Sequence, residues 1–191
     1  MPAEVEIKFR IDEIASLTDK LHSAGFSLIT DRTHELNTLY DQSGDFLRSR
    51  GALLRLRQYG TKWTLTYKEK GASSERHKVR HEIETPLQDG QAMAGILAAL
   101  GFTPTFIYEK FRSEWNDSKG HVVLDETPIG SFGEIEGPPE WIDATARVLG
   151  VSEQQYIKDS YAELFASWKK RTRSRAEHMT FDQIQSGAQA N

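Results

Sequence analysis

Charged and apolar residues alternate through Glu4-Val5-Glu6-Ile7-Lys8-Phe9, close to the start of the chain. In an extended strand successive side chains point to opposite faces, so Glu4, Glu6 and Lys8 share one face and Val5, Ile7 and Phe9 the other. The pattern returns twice, in His81-Glu82-Ile83-Glu84 and in Gly133-Glu134-Ile135-Glu136. Each copy precedes a stretch of helical period that stops at a glycine followed by an apolar residue: Ala24-Gly25-Phe26, Leu100-Gly101-Phe102 and Leu149-Gly150-Val151. The repeated unit therefore reads as a strand with paired carboxylates, a helix and a glycine stop.

Between these units the pattern predicts further strands. Asp12 is placed to cap the first helix, whose apolar positions are Ile14, Leu17, Leu21 and Ala24. Residues 26–29 begin one strand and 34–41 form another, ending in a turn. Residues 52–59 set Arg55 and Arg57 against Leu54 and Leu56, and residues 63–67 alternate with Thr64, Thr66 and Lys68, which makes a hairpin. Residues 71–78, small and polar, read as a mobile loop. Met93, Ile96, Leu97 and Leu100 stripe the second helix. Residues 106–115 carry Lys110, Arg112 and Glu114 on one side, and residues 121–125 end in Asp125. Pro138-Pro139 introduces the third helix, and residues 152–168 read as a fourth with Tyr161, Leu164 and Phe165 in its stripe. Residues 1–168 form the domain. Residues 169–191 begin with Lys169, Lys170, Arg171, Arg173 and Arg175, turn polar, and read as a flexible, solvated tail.

Most of these strands set charges against an apolar row, yet amphipathic helices recur between them and need an apolar surface to cover. An α+β barrel turned partly inside out satisfies both, with charges lining the lumen and helices coating the exterior. A lumen of mixed sign is costly to dry, so it suits a wet site holding a ligand that complements both signs. Acidic groups in pairs suit hard divalent cations such as Mg²⁺ or Mn²⁺. Arginines and lysines suit phosphate oxygens. A metal-bound polyphosphate answers both demands, held by side chains because no Walker-type glycine loop is present. The competing reading is a half-exposed antiparallel sheet whose polar side faces solvent.

Composition narrows the partners. A net charge of −4 over 191 residues exerts no broad pull on nucleic acid or an anionic membrane. No 18-residue apolar run and no basic-then-apolar start are present, so neither a membrane span nor a secretory leader is expected. The absence of cysteine excludes thiolate chemistry and fits a cytoplasmic location. The expected partner is a small-molecule polyphosphate, and the oligomeric state, a homodimer included, is not set by these features.

The ordered motifs Glu4-x-Glu6-x-Lys8, Leu54-Arg55-Leu56-Arg57, Thr66-Tyr67-Lys68, Glu82-x-Glu84, Lys110-x-Arg112, Leu124-Asp125 and Glu134-x-Glu136 resemble the CYTH superfamily, the triphosphate tunnel metalloenzymes. Gly130-Ser131-Phe132, Asp159-Ser160-Tyr161 and Glu163-Leu164 look most like its class IV adenylyl cyclase and thiamine triphosphatase-like branch. The sequence departs from it at Asn37-Thr38-Leu39-Tyr40-Asp41, where other members often carry an Asp-x-Tyr pair. The resemblance implies an eight-stranded antiparallel β-barrel and a divalent metal, Mg²⁺ or Mn²⁺. It implies metal binding by Glu4, Glu6, Glu134 and Glu136, joined by Asp125 and by Glu82 or Glu84, although Glu82 and Glu84 equally suit ion pairs with lumen cations. It implies that Lys8, Arg55, Arg57, Lys68, Lys110 and Arg112 grip phosphate oxygens, and that Lys158 closes the tunnel end beside Tyr161. Glu4, Glu6 and Lys8 carry the catalytic expectation. The implied activity is hydrolysis of a phosphoanhydride in tripolyphosphate or a nucleoside or thiamine triphosphate. The alternatives are a class IV adenylyl cyclase making cyclic AMP and pyrophosphate, and a non-catalytic polyphosphate-binding module.

Overall fold

The computed structural model describes residues 3–70 and 78–188, with side chains over 5–69 and 81–185. Eight strands, β1 (Ala3–Ile11), β2 (Ser27–Asp41), β3 (Leu53–Tyr59), β4 (Lys62–Lys70), β5 (Lys78–Leu87), β6 (Thr103–Asn116), β7 (His121–Thr127) and β8 (Gly130–Glu136), pair antiparallel throughout. They run β1-β5-β4-β3-β2-β6-β7-β8 around a closed barrel, because β1 pairs with both β5 and β8. Closure leaves no exposed sheet edge along the ring, which removes the hazard of edge-to-edge association.

Three helices coat the exterior: α1 (Ile14–Ser23), α2 (Gly90–Ala99) and α3 (Pro139–Leu149). Leu17, Leu21, Ile142, Ala146 and Leu149 from α1 and α3 pack on Ile7, Phe9, Trp115, Val122, Leu124 and Ile135, the outward rows of β1, β6, β7 and β8. Leu97 of α2 closes on Tyr40 and Leu56. Burying a leucine such as Leu21, which is 0 % exposed, stabilises the fold by roughly 1.5–3 kcal/mol. Gly133 permits a close contact within the barrel wall, since a Cβ there would come within 2.2 Å of the Phe9 ring. The predicted glycine stops form as expected. Gly25, Gly101 and Gly150 have φ of +84°, +84° and +81°, and the residue after each donates its N–H back to a helical carbonyl, Leu21, Leu97 or Ala146, at 3.0, 2.9 and 2.8 Å.

Several expectations are corrected. Residues 27–41 form one long strand, because register shifts between Leu28 and Thr33 absorb a bend that breaks the alternation without breaking the ladder with β6. The cap of α1 is Glu13, with no side-chain bond, instead of Asp12. Residues 152–168 are not one helix: a single 3₁₀ turn, Glu153–Gln155, gives way to an extended stretch, and α4 (Tyr161–Thr172) starts where Ser160 and Glu163 form a reciprocal capping box. Residues 169–188 are not a free tail. α4 continues to Thr172, the fully buried Met179 docks on β6, and α5 (Phe181–Ala188) follows. The predicted loop at 71–78 falls, except for Lys78, outside the described residues. Among the described residues no helix is long and apolar enough to cross a membrane.

Candidate functional site in the barrel lumen

The inward rows of the barrel meet in a cavity of about 450 Å³. Its walls carry Glu6, Lys8, Arg55, Arg57, Lys68, Glu82, Glu84, Lys110, Arg112, Glu134 and Glu136, so the alternation seen in the sequence does turn these charges toward one interior space. The solvent-facing sheet is thereby excluded. Glu4 belongs to β1, but its side chain lies outside the described set, as does that of Arg80.

Lys8 is 4 % exposed and lies 3.0 Å from Glu134, the residue opposite it on β8. Burial works to lower its pKa, but the charges of Glu134 and then Glu6 overcome this and raise it, so it stays an ammonium ion. Burial likewise pushes Glu134 up, and Lys8 and Arg112 override it and hold the carboxyl well below the usual range. Arg112 donates to Glu134 at 2.6 Å and makes two bonds to Asp125 at 2.7 and 2.6 Å. Lys110 reaches Asp125 at 2.9 Å and Glu35 at 3.4 Å. On the opposite wall Lys68 pairs with Glu82 at 2.8 Å, while Arg57 lies 3.3 Å from Glu84 and Arg55 3.7 Å. Glu82 and Glu84 thus take the ion-pair role foreseen as their alternative.

Two expected residues stand elsewhere. Asp125, expected among the metal ligands, is 0 % exposed, and its oxygens accept from Lys110, Arg112 and the Tyr161 hydroxyl. Asp125 thus stands behind Lys110 and Arg112 and holds these two cations in place. Lys158 is exposed and does not line the cavity.

Sequence reasoning passed over Glu35, Asn37 and Tyr108. Glu35 is 1 % exposed and accepts from the Asn37 amide at 2.8 Å. Burial raises its pKa, yet Lys110 and Arg112 bring it down to about 2. One oxygen of Glu35, the Asn37 carbonyl oxygen and Arg55 Nε are buried without a hydrogen-bond partner, although Arg112 Nε lies 4.0 Å from that Glu35 oxygen. The signal was present: Glu35, Asn37 and Leu39 alternate on one face of β2, but a single carboxylate beside an amide lacks the doubled pattern that marked the other strands.

The lumen changes character along its length. The inward row of β6 runs Phe106, Tyr108, Lys110, Arg112, and its aromatic end joins Phe132 of β8 and Leu39 of β2. α4 lies across this end, burying Tyr161, Leu164 and Phe165 against those rings. Tyr161 sits between two cations, with Lys8 Nζ 4.7 Å and Lys110 Nζ 4.8 Å from its ring centre, and donates to Asp125 at 2.6 Å. Burial and the charge of Asp125 raise its pKa well above that of an ordinary tyrosine, so it remains a donor.

The CYTH domain family matches residues 2–161. The chain belongs to that family. A Methanocaldococcus jannaschii protein carrying the name of a candidate adenylate cyclase is 28 % identical over 173 residues, covering 84 % of this chain and 97 % of that protein. The Pyrococcus horikoshii protein PH1819 superposes with a TM-score of 0.72 at 26 % identity, over 86 % of this chain and 99 % of its own. A Hippeastrum protein described as a candidate adenylyl cyclase with a dominant triphosphatase activity has the same fold, at a TM-score of 0.65 and 21 % identity, over 86 % and 96 % of the two chains.

The donor set of this CYTH lumen suits a divalent cation in part. Glu6 and Glu136 stand directly opposite one another on β1 and β8, and both line the cavity. Like charges directly opposed are destabilising, and a cation between them removes the penalty. Among the described residues no three acidic or histidine side chains converge to hold a metal by themselves. The opposed carboxylate pair itself suits a hard divalent cation, which prefers oxygen ligands and completes its shell with water.

Proposed function

We propose that this CYTH protein is a divalent-metal-dependent phosphohydrolase acting on a triphosphate-bearing substrate. The observation that carries the reading is the convergence of Lys8, Arg55, Arg57, Lys68, Lys110 and Arg112 on one cavity that also holds the opposed pair Glu6 and Glu136. The cations form a cradle for phosphate oxygens, with arginine contributing paired donors. Lys8, Arg55, Arg57 and Lys68 already have carboxylate partners in Glu134, Glu84 and Glu82, so a bound phosphate exchanges with those partners instead of meeting bare charge. Asp125 and Glu35 stay behind Lys110 and Arg112 and keep them oriented. Glu6 and Glu136 would hold Mg²⁺ or Mn²⁺, which would neutralise charge on the phosphate oxygens. Phosphoryl transfer needs little covalent help, so positioning and charge account for most of the rate. A glutamate of the same set orients the attacking water.

A second reading is supported by the name of the Methanocaldococcus jannaschii relative: the same cradle, with a nucleoside 3′-hydroxyl aligned on the α-phosphate, would be an adenylyl cyclase. Hydrolysis leads because water needs no specific pose, and because the Hippeastrum neighbour is described by its triphosphatase activity. Purified protein with Mg²⁺ or Mn²⁺, given tripolyphosphate, ATP and thiamine triphosphate, is expected to release orthophosphate. Cyclic AMP with pyrophosphate as the products from ATP selects the cyclase. Tight binding without turnover of any of the three leaves a polyphosphate-binding module.

A further inference from the structure

Beyond Tyr161, where the family match ends, the chain stays on the barrel. α4 crosses the aromatic end of the lumen, Arg173 turns left-handed at φ 58°, and the chain returns to β6. There Met179 forms a parallel bridge: its N–H donates to the Ile107 carbonyl at 3.0 Å, and its carbonyl accepts from the Glu109 N–H at 3.1 Å. The pairing of β6 with β7 stops at Phe111, so Met179 takes backbone groups of β6 that β7 does not reach. Its side chain is 0 % exposed, within the cluster of Tyr108, Tyr161 and Phe165. The Glu109 carboxylate accepts from the N–H of Phe181, the first residue of α5, at 2.7 Å and lies 2.8 Å from His34 Nε2. Before α4, Ile157 makes a matching bridge to Lys8 of β1, at 2.7 and 3.3 Å. The stretch from Ile157 to Met179 is therefore tied at both ends to strands that are not neighbours, with α4 slung between them.

We propose that this strap makes the lumen blind at the α4 end and so sets specificity, admitting a phosphate chain only by a free terminus. The proposal rests on the phosphohydrolase reading above. The terminal phosphate enters first and stops beside Tyr161, between Lys8 and Lys110. A chain whose ends are blocked by bulky groups cannot pass through, because Leu164, Phe165 and Met179 fill the exit. Tyr161 acts as a positioning residue: its bond to Asp125 ties the strap to Lys110 and Arg112.

The test uses the full chain with Mg²⁺ or Mn²⁺ and two probes, linear tripolyphosphate and long-chain polyphosphate capped at both ends with a bulky amine. The capped chain is expected to react at least about a hundred-fold more slowly. Met179→Asp puts a carboxylate into the aromatic cluster and frees the strap. Its capped-to-tripolyphosphate rate ratio is expected to rise about ten-fold or more, with α4 amides exchanging faster by a similar factor. Met179→Leu should match the parent, and Glu109→Ala, which removes the acceptor for Phe181 and the His34 contact but leaves the Met179 bridge, should move both readouts less. A parent protein cutting capped chains within about three-fold of tripolyphosphate overturns the specificity. Unchanged α4 exchange in both Met179→Asp and Glu109→Ala overturns the strap. A protein that turns over neither probe overturns the phosphohydrolase reading and the specificity with it, while exchange still decides the strap.

Discussion

The two ends of the lumen are built from the same inward-facing rows and differ in what meets them. On β6, Lys110 and Arg112 face the cavity, while Tyr108 and Phe106, two and four residues before Lys110 on the same face, join the aromatic cluster under α4, Tyr108 still bordering the cavity. Apolar side chains can be sealed by any helix that supplies complementary rings, and α4 supplies Tyr161, Leu164 and Phe165. Buried cations need specific partners at hydrogen-bonding distance, and Glu35, Asp125 and Glu134 supply them. Packing thus decides the blind end, and electrostatic pairing decides the open one. Tyr161 belongs to both, with its ring in the aromatic cluster and its hydroxyl on Asp125.

The contrast can be broken most severely at Asp125. Replacing it with alanine removes the nearest partner of Lys110 and two bonds of Arg112, leaving them Glu35 and Glu134, and breaking a buried ion pair in this way costs up to about 3–5 kcal/mol. Urea denaturation reads this directly, and an unchanged midpoint would mean that the cations relax into solvent. At Glu6 the expected effect falls on chemistry instead. Glu6→Gln removes one of the opposed carboxylates and is expected to lower metal-dependent kcat by about a hundred-fold or more, with Tm held near the parent value. Loss of fold together with activity would assign Glu6 a structural role.

Arg57→Ala is expected to raise KM for tripolyphosphate about ten-fold, the worth of one charge-assisted hydrogen bond. Unchanged kinetics would put Arg57 outside the substrate path. Glu35 sharpens the electrostatic side through pH. Its folded pKa of about 2 lies below the ordinary 4.5, so its contribution is fully present above 4.5 and is lost as pH falls from 4.5 toward 2. That contribution is on the order of 3 kcal/mol, and Glu35→Gln should flatten the stability profile over this window. The smallest change is expected at Lys158, exposed and away from the cavity walls. Lys158→Ala should leave KM within about two-fold, and a larger rise would bring this lysine back to the tunnel end.

Much of the lumen was legible in the letters because β-strands have a period of two, so a doubled charge motif declares its own face. Glu6, Lys8, Arg55, Arg57, Glu134 and Glu136 all reach the cavity for that reason. The bend in β2 was hidden, since a register shift is a backbone event that alternation cannot report. The start of α4 was hidden too: Tyr156 and Ile157 suit a helical stripe, but the Lys8 edge draws Ile157 into a strand bridge, and the Ser160–Glu163 box restarts the helix. Met179 misled most, as one methionine in a polar stretch carries no local signal that a barrel edge awaits it.

Taken alone, the sequence determined which residues alternate, where the glycine stops fall and that paired carboxylates recur on several strands, because these follow from local backbone geometry. Only the tertiary structure decided which carboxylate pairs with which cation. Ring closure sets those distances, so Asp125 lies behind Lys110 and Arg112 while Glu6 meets Glu136 across the β1–β8 seam. It also decided that the last stretch of chain seals one end, since that depends on unpaired backbone groups and exposed rings on strands far away in sequence.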